Sequence, residues 1–546
     1  MPQRNDGTVL PLFLFNDAFE SGNALRSHAG MQKISGTYAS IPCIQPEKRA
    51  SFNSIFPVML TNCLNIKRFK NARVFRPVVQ QMNTLAKKGI LLHVDGKEKR
   101  VFFQMALLQG DNLGLNGLGG FTENFSKSEY CCRICYANIN ERKTMTLENV
   151  SILRKVLTYE RDLQKKDPKS TGVKQPCVFN DIVNFHILKN CSCDVTHDIY
   201  EGVAKFDLLF ILQDFITRKR FFKLSDLNRK LNLFKFGAAD DSSRPHLFNN
   251  QFLKKKTLKV SASECKCLLT YLGFVIMDLN PAALEDPLWD LFIALRRVVD
   301  IIMQPSLPLE QCDLLARYVD EHHKLYMKLT DKQLTPKAHN LIHYPRLITL
   351  YGPLIHTWTI RLEQEHQLMK SVSNSVATKK NNSFTMGKRI QLKLSHDFYA
   401  ENYSKDNVLW GPNQAFNNSD RFWQSFDESN LTTLFSWVLR NQNTIRCSWI
   451  RVNGTKYCTD VALKVHIDQK TSLPLFGLLR KIFVTENRTV YFYLQNYRTV
   501  GFNEKLFAFQ IELVPSYSVS KQTDLNDFHV HTPVDLSQKT LISLIC

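Results

Sequence analysis

The sequence lacks any long hydrophobic run, because no stretch of eighteen or more uncharged apolar residues occurs among its 546 residues. A transmembrane helix needs roughly 20 such residues, so we expect no membrane span. The segment MPQRNDGTVLPLFLFND also lacks a basic stretch followed by an apolar one, so we expect no secretory signal. Fourteen cysteines are present, and in this context we expect reduced thiols rather than a disulfide framework.

Acidic residues are scarce relative to basic ones. Fifty Asp and Glu stand against 71 Lys and Arg, which gives a formal net charge of +21. The basic residues form short clusters at 67–73, 254–256, 379–380 and 388–389 instead of one long run. This distribution favours a polyanionic partner, most simply nucleic acid, over the alternative of a merely basic protein. The clusters could also serve nuclear import, and we expect a nuclear location.

The amino-terminal pattern predicts an α/β beginning. Residues 8–16, 33–42, 54–64 and 100–110 have the apolar, β-rich composition of strands, and 71–89 has helical spacing with a glycine at its end. The order is therefore strand, strands, helix and strand.

The chain divides into five predicted regions of different character. Residues 1–136 form the α/β core, and 137–200 are a polar linker with helical segments and a zinc knuckle. Residues 201–375 are mostly helical, and 376–440 are a loop-rich connector rich in Asn, Ser and Lys. Residues 441–546 show short alternating strands, which predict a small β-barrel-like or SH3-like module.

Two aspartates directly follow apolar strands, Asp17 after PLFLFN and Asp111 after FFQMALLQG. Neighbouring strand ends of one sheet can place two carboxylates close together. With a third acidic group they could hold two Mg²⁺ ions, which activate a nucleophile and stabilise the leaving oxygen in phosphodiester cleavage. Aspartate also follows strands because it favours turns, and this alternative stays open.

The segment EYCCRICYA contains a C-x-x-C pair, Cys132 and Cys135, which is half of a tetrahedral zinc site. The other half could come from 191–203, where Asp194 and His197 are three residues apart and either cysteine of that segment could replace Asp194. Two unrelated thiols are the alternative. A redox pair is disfavoured because no thioredoxin-like βαβ pattern surrounds it.

His339 and His343 form an H-x-x-x-H pair with one-turn spacing, which can bind zinc. No glutamate stands at the H-E-x-x-H position and Pro345 follows at once, so a metalloprotease is not expected. Core packing is the favoured interpretation, with phosphate contact second.

Several of these blocks, in this order, resemble the catalytic region of CACTA (En/Spm-like) DNA transposases. The blocks are FLFNDAFESGNALRSHAG (13–30), LLQGDNLGLNGLGGF (107–121), CCRIC (131–135) and DVTHDIYEGV (194–203). Residues 334–371 are similar to the accompanying helical segment, which in that group carries K-x-H-x-x-x-H, a G-P motif and a Glu after an aromatic residue. The blocks span about 10–375 of this sequence, and their ordered set is more specific than any one of them.

This resemblance implies an RNase H-like fold whose acidic DDE triad uses two Mg²⁺ ions to cleave DNA and transfer strands. Asp17 and Asp111 would be its first two members. Glu363 is the favoured third member, which makes the helices between roughly 203 and 350 an insertion. Glu201 is the alternative.

The resemblance also implies a structural role for the predicted zinc set, the C-x-x-C pair with Asp194 and His197, as a brace where the chain leaves the sheet. The implied partner is DNA, and by analogy we expect a homo-oligomer. Two departures weigh against full activity: FESGNALRSH lacks the Pro and Gly of the family's N-P-L-G, and we expect no separate DNA-end-binding domain upstream. They favour the alternative of a catalytically inactive, zinc-stabilised nucleic-acid-binding protein derived from a transposase.

Overall fold

A computed structural model of the chain describes residues 7–22, 32–44, 54–375, 381–400, 408–416, 444–525, 527–536 and 538–544. The protein is mixed α/β and divides into two compact units. The first comprises Met1–Val203 and Ile301–Lys405, and the second Ala204–Asp300 and Asp406–Cys546. Among the described helices, none combines the length and apolar character that a membrane crossing requires.

The first unit is built on a five-stranded sheet in the order β3-β2-β1-β5-β4. Strands β1 to β5 are Thr8–Glu20, Lys33–Ser40, Ile55–Asn62, Ile90–Val94 and Lys97–Gln109. β1 runs parallel to β5, whereas β1–β2, β2–β3 and β4–β5 are antiparallel. The β1–β5 pairing ends at Phe15 opposite Gln109, so Asp17 and Asp111 follow it at matching positions.

The central strands are apolar on both faces because helices cover both faces of the sheet. Side chains alternate between the faces along a strand. Leu14 therefore packs with helix Arg76–Lys87 on one face, and Phe15 packs with helix Ile360–Asn374 on the other. This second helix carries Glu363 in its first turn and so brings it to the sheet.

The remaining elements of the first unit are helical. They are Cys63–Val74, Asn112–Gly119, Ile139–Arg142, Val156–Lys165, Pro168–Thr171, Glu310–Thr330, Pro336–Leu341, Tyr344–Tyr351 and Asn382–Tyr399, with a π-helical turn at Thr196–Val203.

The second unit combines helices with two sheets. Its helices are Ala204–Thr217, Leu224–Leu233, Ala262–Leu279 and Pro287–Ile302. A nine-stranded sheet curls into a half-barrel, and a three-stranded sheet accompanies it. The strands β6 to β17 are Val408–Trp410, Asn413–Phe416, Thr444–Cys447, Trp449–Val452, Thr455–Cys458, Ala462–Ile467, Pro474–Thr485, Val490–Asn503, Ala508–Lys521, Val530–His531, Val534–Leu536 and Lys539–Ile542.

The first strand is longer than the sequence predicts. It continues through Asp17 to Glu20 because its other edge still pairs with β2, where Asp17 lies opposite Gly36. Asp17 is thus at the end of the parallel pairing but inside the antiparallel pairing. Strand β4 has no counterpart in the sequence prediction.

Two predicted regions are corrected. The stretch 376–440 contains the helix Asn382–Tyr399, which buries Met386 and Ile390 against the sheet, so at these positions it is not a loop. Residues 376–380, 401–407 and 417–443 of that stretch lie outside the described part. The predicted helical region 201–375 is shared between the two units, which separate near 203 and 301.

Candidate metal centres

Four buried side chains of the first unit form a Cys₂His₂ cluster: Cys132, Cys135, His339 and His343 each place a ligand atom within 4.8 Å of the others. Cys132 Sγ lies 3.6 Å from His343 Nε2, and Cys135 Sγ lies 3.3 Å from His339 Nε2. Tetrahedral zinc, with Zn–S of about 2.3 Å and Zn–N of about 2.0 Å, separates sulfur from nitrogen by about 3.5 Å. The cluster could therefore hold a zinc ion with little rearrangement.

The two histidines come from a junction between short helices. His339 lies in helix Pro336–Leu341, and His343 is the residue before helix Tyr344–Tyr351. Their rings are 5.1 Å apart and nearly perpendicular, at 86°. The junction thus turns both Nε2 atoms toward the cysteines, which lie about 200 residues earlier in the chain.

A carboxylate supports one of the two histidines. His343 Nδ1 donates to Glu148 Oε1 at 2.5 Å, and Arg346 Nε donates to both oxygens of Glu148 at 3.0 Å. A histidine that binds zinc typically donates its other ring nitrogen in this way, which fixes the tautomer and the ring orientation. His339 Nδ1, in contrast, is buried with no hydrogen-bond partner in the described part of the chain.

The charges of the cluster suit a metal that binds thiolates. Burial raises the pKa of Cys132, but a hydrogen bond with Cys135 and the charge of His343 outweigh burial and hold this pKa well below its ordinary value. The hydrogen bond to Cys132 and burial raise the pKa of Cys135. These opposite shifts favour the thiolate at Cys132 and the thiol at Cys135, and zinc binding would release the remaining proton.

The predicted partners of the C-x-x-C pair are corrected by this geometry. Asp194 and His197 do not join the cysteines; they lie with Glu363 in a second group, within 4.8 Å of one another. The reason is a parallel bridge between Cys191 and Leu108 of β5, which carries the following residues to the strand ends near the aspartates.

The second group interacts electrostatically with further carboxylates. We call the whole set the acidic cluster: Asp17, Asp111, Asp194, His197, Glu201 and Glu363. Burial, and then the charge of Asp111, raise the pKa of Asp17 to about 6, and Glu363 adds to the effect. The charges of Asp111 and Glu363 thus both act on Asp17, but among the described residues neither aspartate joins a group of three or more potential ligands within 4.8 Å of one another. A carboxyl pKa raised by burial and by like charges is typical of sites that bind a cation or transfer a proton.

The close approach of the two strand ends depends on a glycine. A β-carbon at Gly110 would lie 2.8 Å from the backbone oxygen of Asn16. Asp111, the next residue, is the N-cap of helix Asn112–Gly119, and its Oδ1 accepts from Gly114 N at 2.5 Å. The turn preference of aspartate is therefore part of the reason why Asp111 stands here.

Glu363 is held from the first turn of its helix. The hydroxyl of Thr359 lies 2.9 Å from Glu363 Oε1 and 3.3 Å from Asp194 Oδ1, so it connects the two carboxylates. Burial raises the pKa of Glu363, with Asp194 and Glu201 adding to the rise and His197 opposing it.

His197 lies between carboxylates in the π-helical turn. Its Nδ1 donates to Asp194 Oδ2, and its Nε2 is 3.7 Å from Glu201 Oε2. Burial lowers the pKa of His197, but Asp194, then Glu363 and Glu201, raise it to about 10. The surrounding carboxylates thus favour the charged form of this imidazole. Both candidates for the third carboxylate, Glu363 and Glu201, face this ring.

A buried polar network, which the sequence did not indicate, connects the two clusters. At its centre is Asp198, which is 0 % exposed; Asn112 and Asn340 donate to its Oδ1 at 2.7 and 2.9 Å. Tyr344 donates to its Oδ2 at 3.0 Å, and Arg133 donates to Asn112 at 2.9 Å. Each of the five follows a member of one of the clusters in the chain: His197, Asp111, His339, His343 and Cys132.

The chain matches no protein-family model and no curated protein. The function is therefore argued from the two clusters themselves.

Two features of the site were not predicted from the sequence. His339 and His343 were assigned to core packing, although their one-turn spacing was a usable signal for zinc. The network around Asp198 carried no signal, because its members are single polar residues far apart in the chain. The catalytic roles of Asp17, Asp111, Glu363 and Glu201 stay predictions.

Proposed function

We propose that this protein is a transposon-derived, DDE-type DNA transposase of CACTA-like kind, which cleaves and joins phosphodiester bonds with two Mg²⁺ ions. The single observation that supports this most is the position of Asp17, which is buried where the charges of both Asp111 and Glu363 act on it, although the three residues come from distant parts of the chain. Like charges held near one another are unfavourable without a cation, so their proximity supports a metal site.

The chemistry follows from the ligands. Carboxylate oxygens are the donors that Mg²⁺ prefers, and two ions bound a few ångströms apart can stabilise both the attacking and the leaving oxygen. Asp17, on which the charges of both Asp111 and Glu363 act, would be the shared ligand. The three side chains would hold the ions, and the ions would supply the activated nucleophile and the charge stabilisation.

The strand order supports an RNase H-like core. Three antiparallel strands are followed by two helices, by the short strand β4 and then by β5, which pairs parallel with β1. The bridge from Leu108 to Cys191 adds a further parallel contact. Glu363 then arrives on a helix that packs on this sheet. The segment Ala204–Asp300 of the second unit lies between Glu201 and Glu363 in the chain, as an insertion would.

The zinc cluster completes the proposal as a structural site. All four ligands are buried and belong to the protein, so no position is left open for a substrate. The net charge of +21 supports DNA as the partner, and the proposed location is the nucleus. A homo-oligomer is proposed by analogy alone.

The test is nicking of supercoiled DNA by the zinc-loaded full chain with Mg²⁺ or Mn²⁺. Asp111→Asn is the sharpest variant, because asparagine caps a helix as well as aspartate does and so leaves the fold intact. We expect nicking to fall roughly a hundredfold or more, since a metal ligand is worth several kcal/mol to the transition state. Asp95→Asn, at an exposed left-handed turn position of the same sheet, is the control and should nick normally.

The alternative is an inactive DNA-binding protein derived from a transposase. Its supporting observation is the cap at Asp111, which explains that residue without any metal. Under this alternative the wild type and Asp111→Asn behave alike. Both bind DNA with a steep salt dependence, and neither nicks it. Nicking that survives the substitution would contradict the proposed assignment of Asp111.

A further inference from the structure

The surroundings of His197 go beyond the three carboxylates of the proposed function. An acidic triad needs no histidine, yet this ring lies within ligand distance of Glu363 and is fixed on its other side. We propose that His197 Nε2, together with Glu201 and Glu363, ligates one of the two divalent ions, so that this position favours a nitrogen-accepting transition metal such as Mn²⁺ over Mg²⁺. The proposal rests on the proposed two-ion site.

The first argument is the orientation of the ring. Asp194 is 0 % exposed, and its Oδ2 accepts from His197 Nδ1, while its Oδ1 accepts from the backbone N–H of Thr196 at 3.1 Å. A buried carboxylate on one ring nitrogen is the usual support of a metal-binding histidine, because it leaves the other nitrogen as the ligand. Glu148 supports His343 of the zinc cluster in the same way.

The second argument is what the free nitrogen faces. His197 Nε2 lies 3.7 Å from Glu201 Oε2, and a carboxylate oxygen of Glu363 lies within 4.8 Å of a nitrogen of the same ring. Nitrogen and oxygen ligands at about 2.1 Å from one ion are about 3.0–3.4 Å apart. The observed distance of 3.7 Å exceeds this range by only a few tenths of an ångström.

The third argument is local backbone geometry. His197 and Glu201 lie in the π-helical turn, whose last residues bend at Gly202, with φ −128° and ψ −105°. A β-carbon there would lie 2.7 Å from Lys337 Cδ and 2.9 Å from the carbonyl oxygen of His197. Lys337 Nζ donates to the carbonyl of Glu201 at 3.0 Å, which fixes the turn from outside. Single π turns within helices are frequent at functional sites.

The solvent exposure of the proposed ligands is compatible with an ion that exchanges with solvent. The side chains of His197 and Glu201 are 26 % and 37 % exposed, so an ion can enter from solvent. The Cys₂His₂ cluster has no such access, because all its ligands are buried. Imidazole with carboxylates is a donor set that suits first-row transition metals, whereas Mg²⁺ prefers oxygen alone.

The test is pulsed electron paramagnetic resonance of Mn²⁺ added to the zinc-loaded full chain without DNA. We expect a ¹⁴N modulation on the Mn²⁺ signal, because one ligand is an imidazole, and loss of this modulation in His197→Ala. The matched control is His93→Ala, which removes an exposed histidine 3.6 Å from Glu98 and should keep the modulation. Zinc fills the other histidine cluster and is silent.

A second variant keeps the test informative if His197→Ala does not fold. Glu201→Gln changes a half-exposed side chain, keeps the imidazole, and should weaken Mn²⁺ binding roughly tenfold while the ¹⁴N modulation persists at saturation. A Mn²⁺ signal without ¹⁴N modulation in the wild type, or one unchanged in His197→Ala, would overturn the inference. Mg²⁺-dependent nicking that needs Asp111 would still stand in that case, so the two failures are distinguishable.

Discussion

The first unit holds two clusters of potential metal ligands, which differ in burial, in charge and in the types of their side chains. The Cys₂His₂ cluster is buried, has four ligands at tetrahedral spacing and receives support from Glu148. The acidic cluster is partly exposed, and burial, followed by repulsion from neighbouring carboxylates, raises the pKa of Asp17 and of Glu363. A closed site with satisfied ligands suits structure, whereas an open site with unbalanced charge suits exchangeable ions and chemistry.

The comparison also shows why the two clusters occur together. Residues that directly follow members of both clusters in the sequence donate hydrogen bonds to Asp198. The position of one cluster therefore constrains the position of the other. We interpret the zinc cluster as the element that holds the strand ends and the helix junction in register. The predictions below are ordered from the largest expected effect on stability to the smallest.

Loss of zinc should have the largest effect. Cys135→Ser should lose the ion and much of the stability of the first unit, because a structural zinc contributes on the order of 10 kcal/mol. Metal analysis and urea unfolding measure both. Cys177→Ala, at a buried cysteine outside the cluster, is the control and should keep its zinc at a cost of about 1 kcal/mol. Equal stability of the two variants would show that the cluster is not structural.

Removal of the central carboxylate of the network should have the second-largest effect on stability. Asp198→Ala leaves Asn112, Asn340 and Tyr344 without their acceptor and should lower the free energy of unfolding by about 3 kcal/mol. Zinc affinity and DNA nicking should fall together, since both clusters border the network. A variant that loses stability but keeps both properties would separate the clusters.

A methyl group between the strand ends should act on the acidic cluster alone. Gly110→Ala places a β-carbon 2.8 Å from the Asn16 carbonyl, which forces the backbones apart and should cost about 1–3 kcal/mol. Nicking should fall while zinc content stays constant. Gly501→Ala, where no atom lies within 4 Å of the added carbon, is the control substitution. Normal nicking by Gly110→Ala would mean that the distance between the aspartates is not critical.

Asp17→Asn should abolish nicking and yet stabilise the metal-free protein. The folded pKa of Asp17 is raised from 3.8 to about 6, so its charged form opposes folding, and stability falls as pH rises from about 4 to about 6. The variant should therefore exceed the wild type by roughly 2 kcal/mol at pH 7 and by nothing below pH 4. Thermal unfolding at both values is the measurement. A variant that is less stable at pH 7 would contradict the repulsion.

Much of the acidic cluster could be predicted from sequence, because strand periodicity places Asp17 and Asp111 after neighbouring strands. The zinc ligands could be predicted only in half. C-x-x-C is a local motif, but its partners lie about 200 residues away, and only the fold decides between His339 and His197. The helix Asn382–Tyr399 was missed because its polar composition is typical of a loop, and tertiary packing of Met386 and Ile390 overrides it.

The central claim is that Asp17, Asp111 and Glu363 surround one pair of ions. Diffraction from crystals soaked in Mn²⁺, with anomalous maps, tests it most directly. We predict two peaks about 3.5–4 Å apart, one beside Asp111 and one beside Glu363, with Asp17 between them. No peak at the three carboxylates, in crystals whose Cys₂His₂ cluster holds its zinc, would contradict the account.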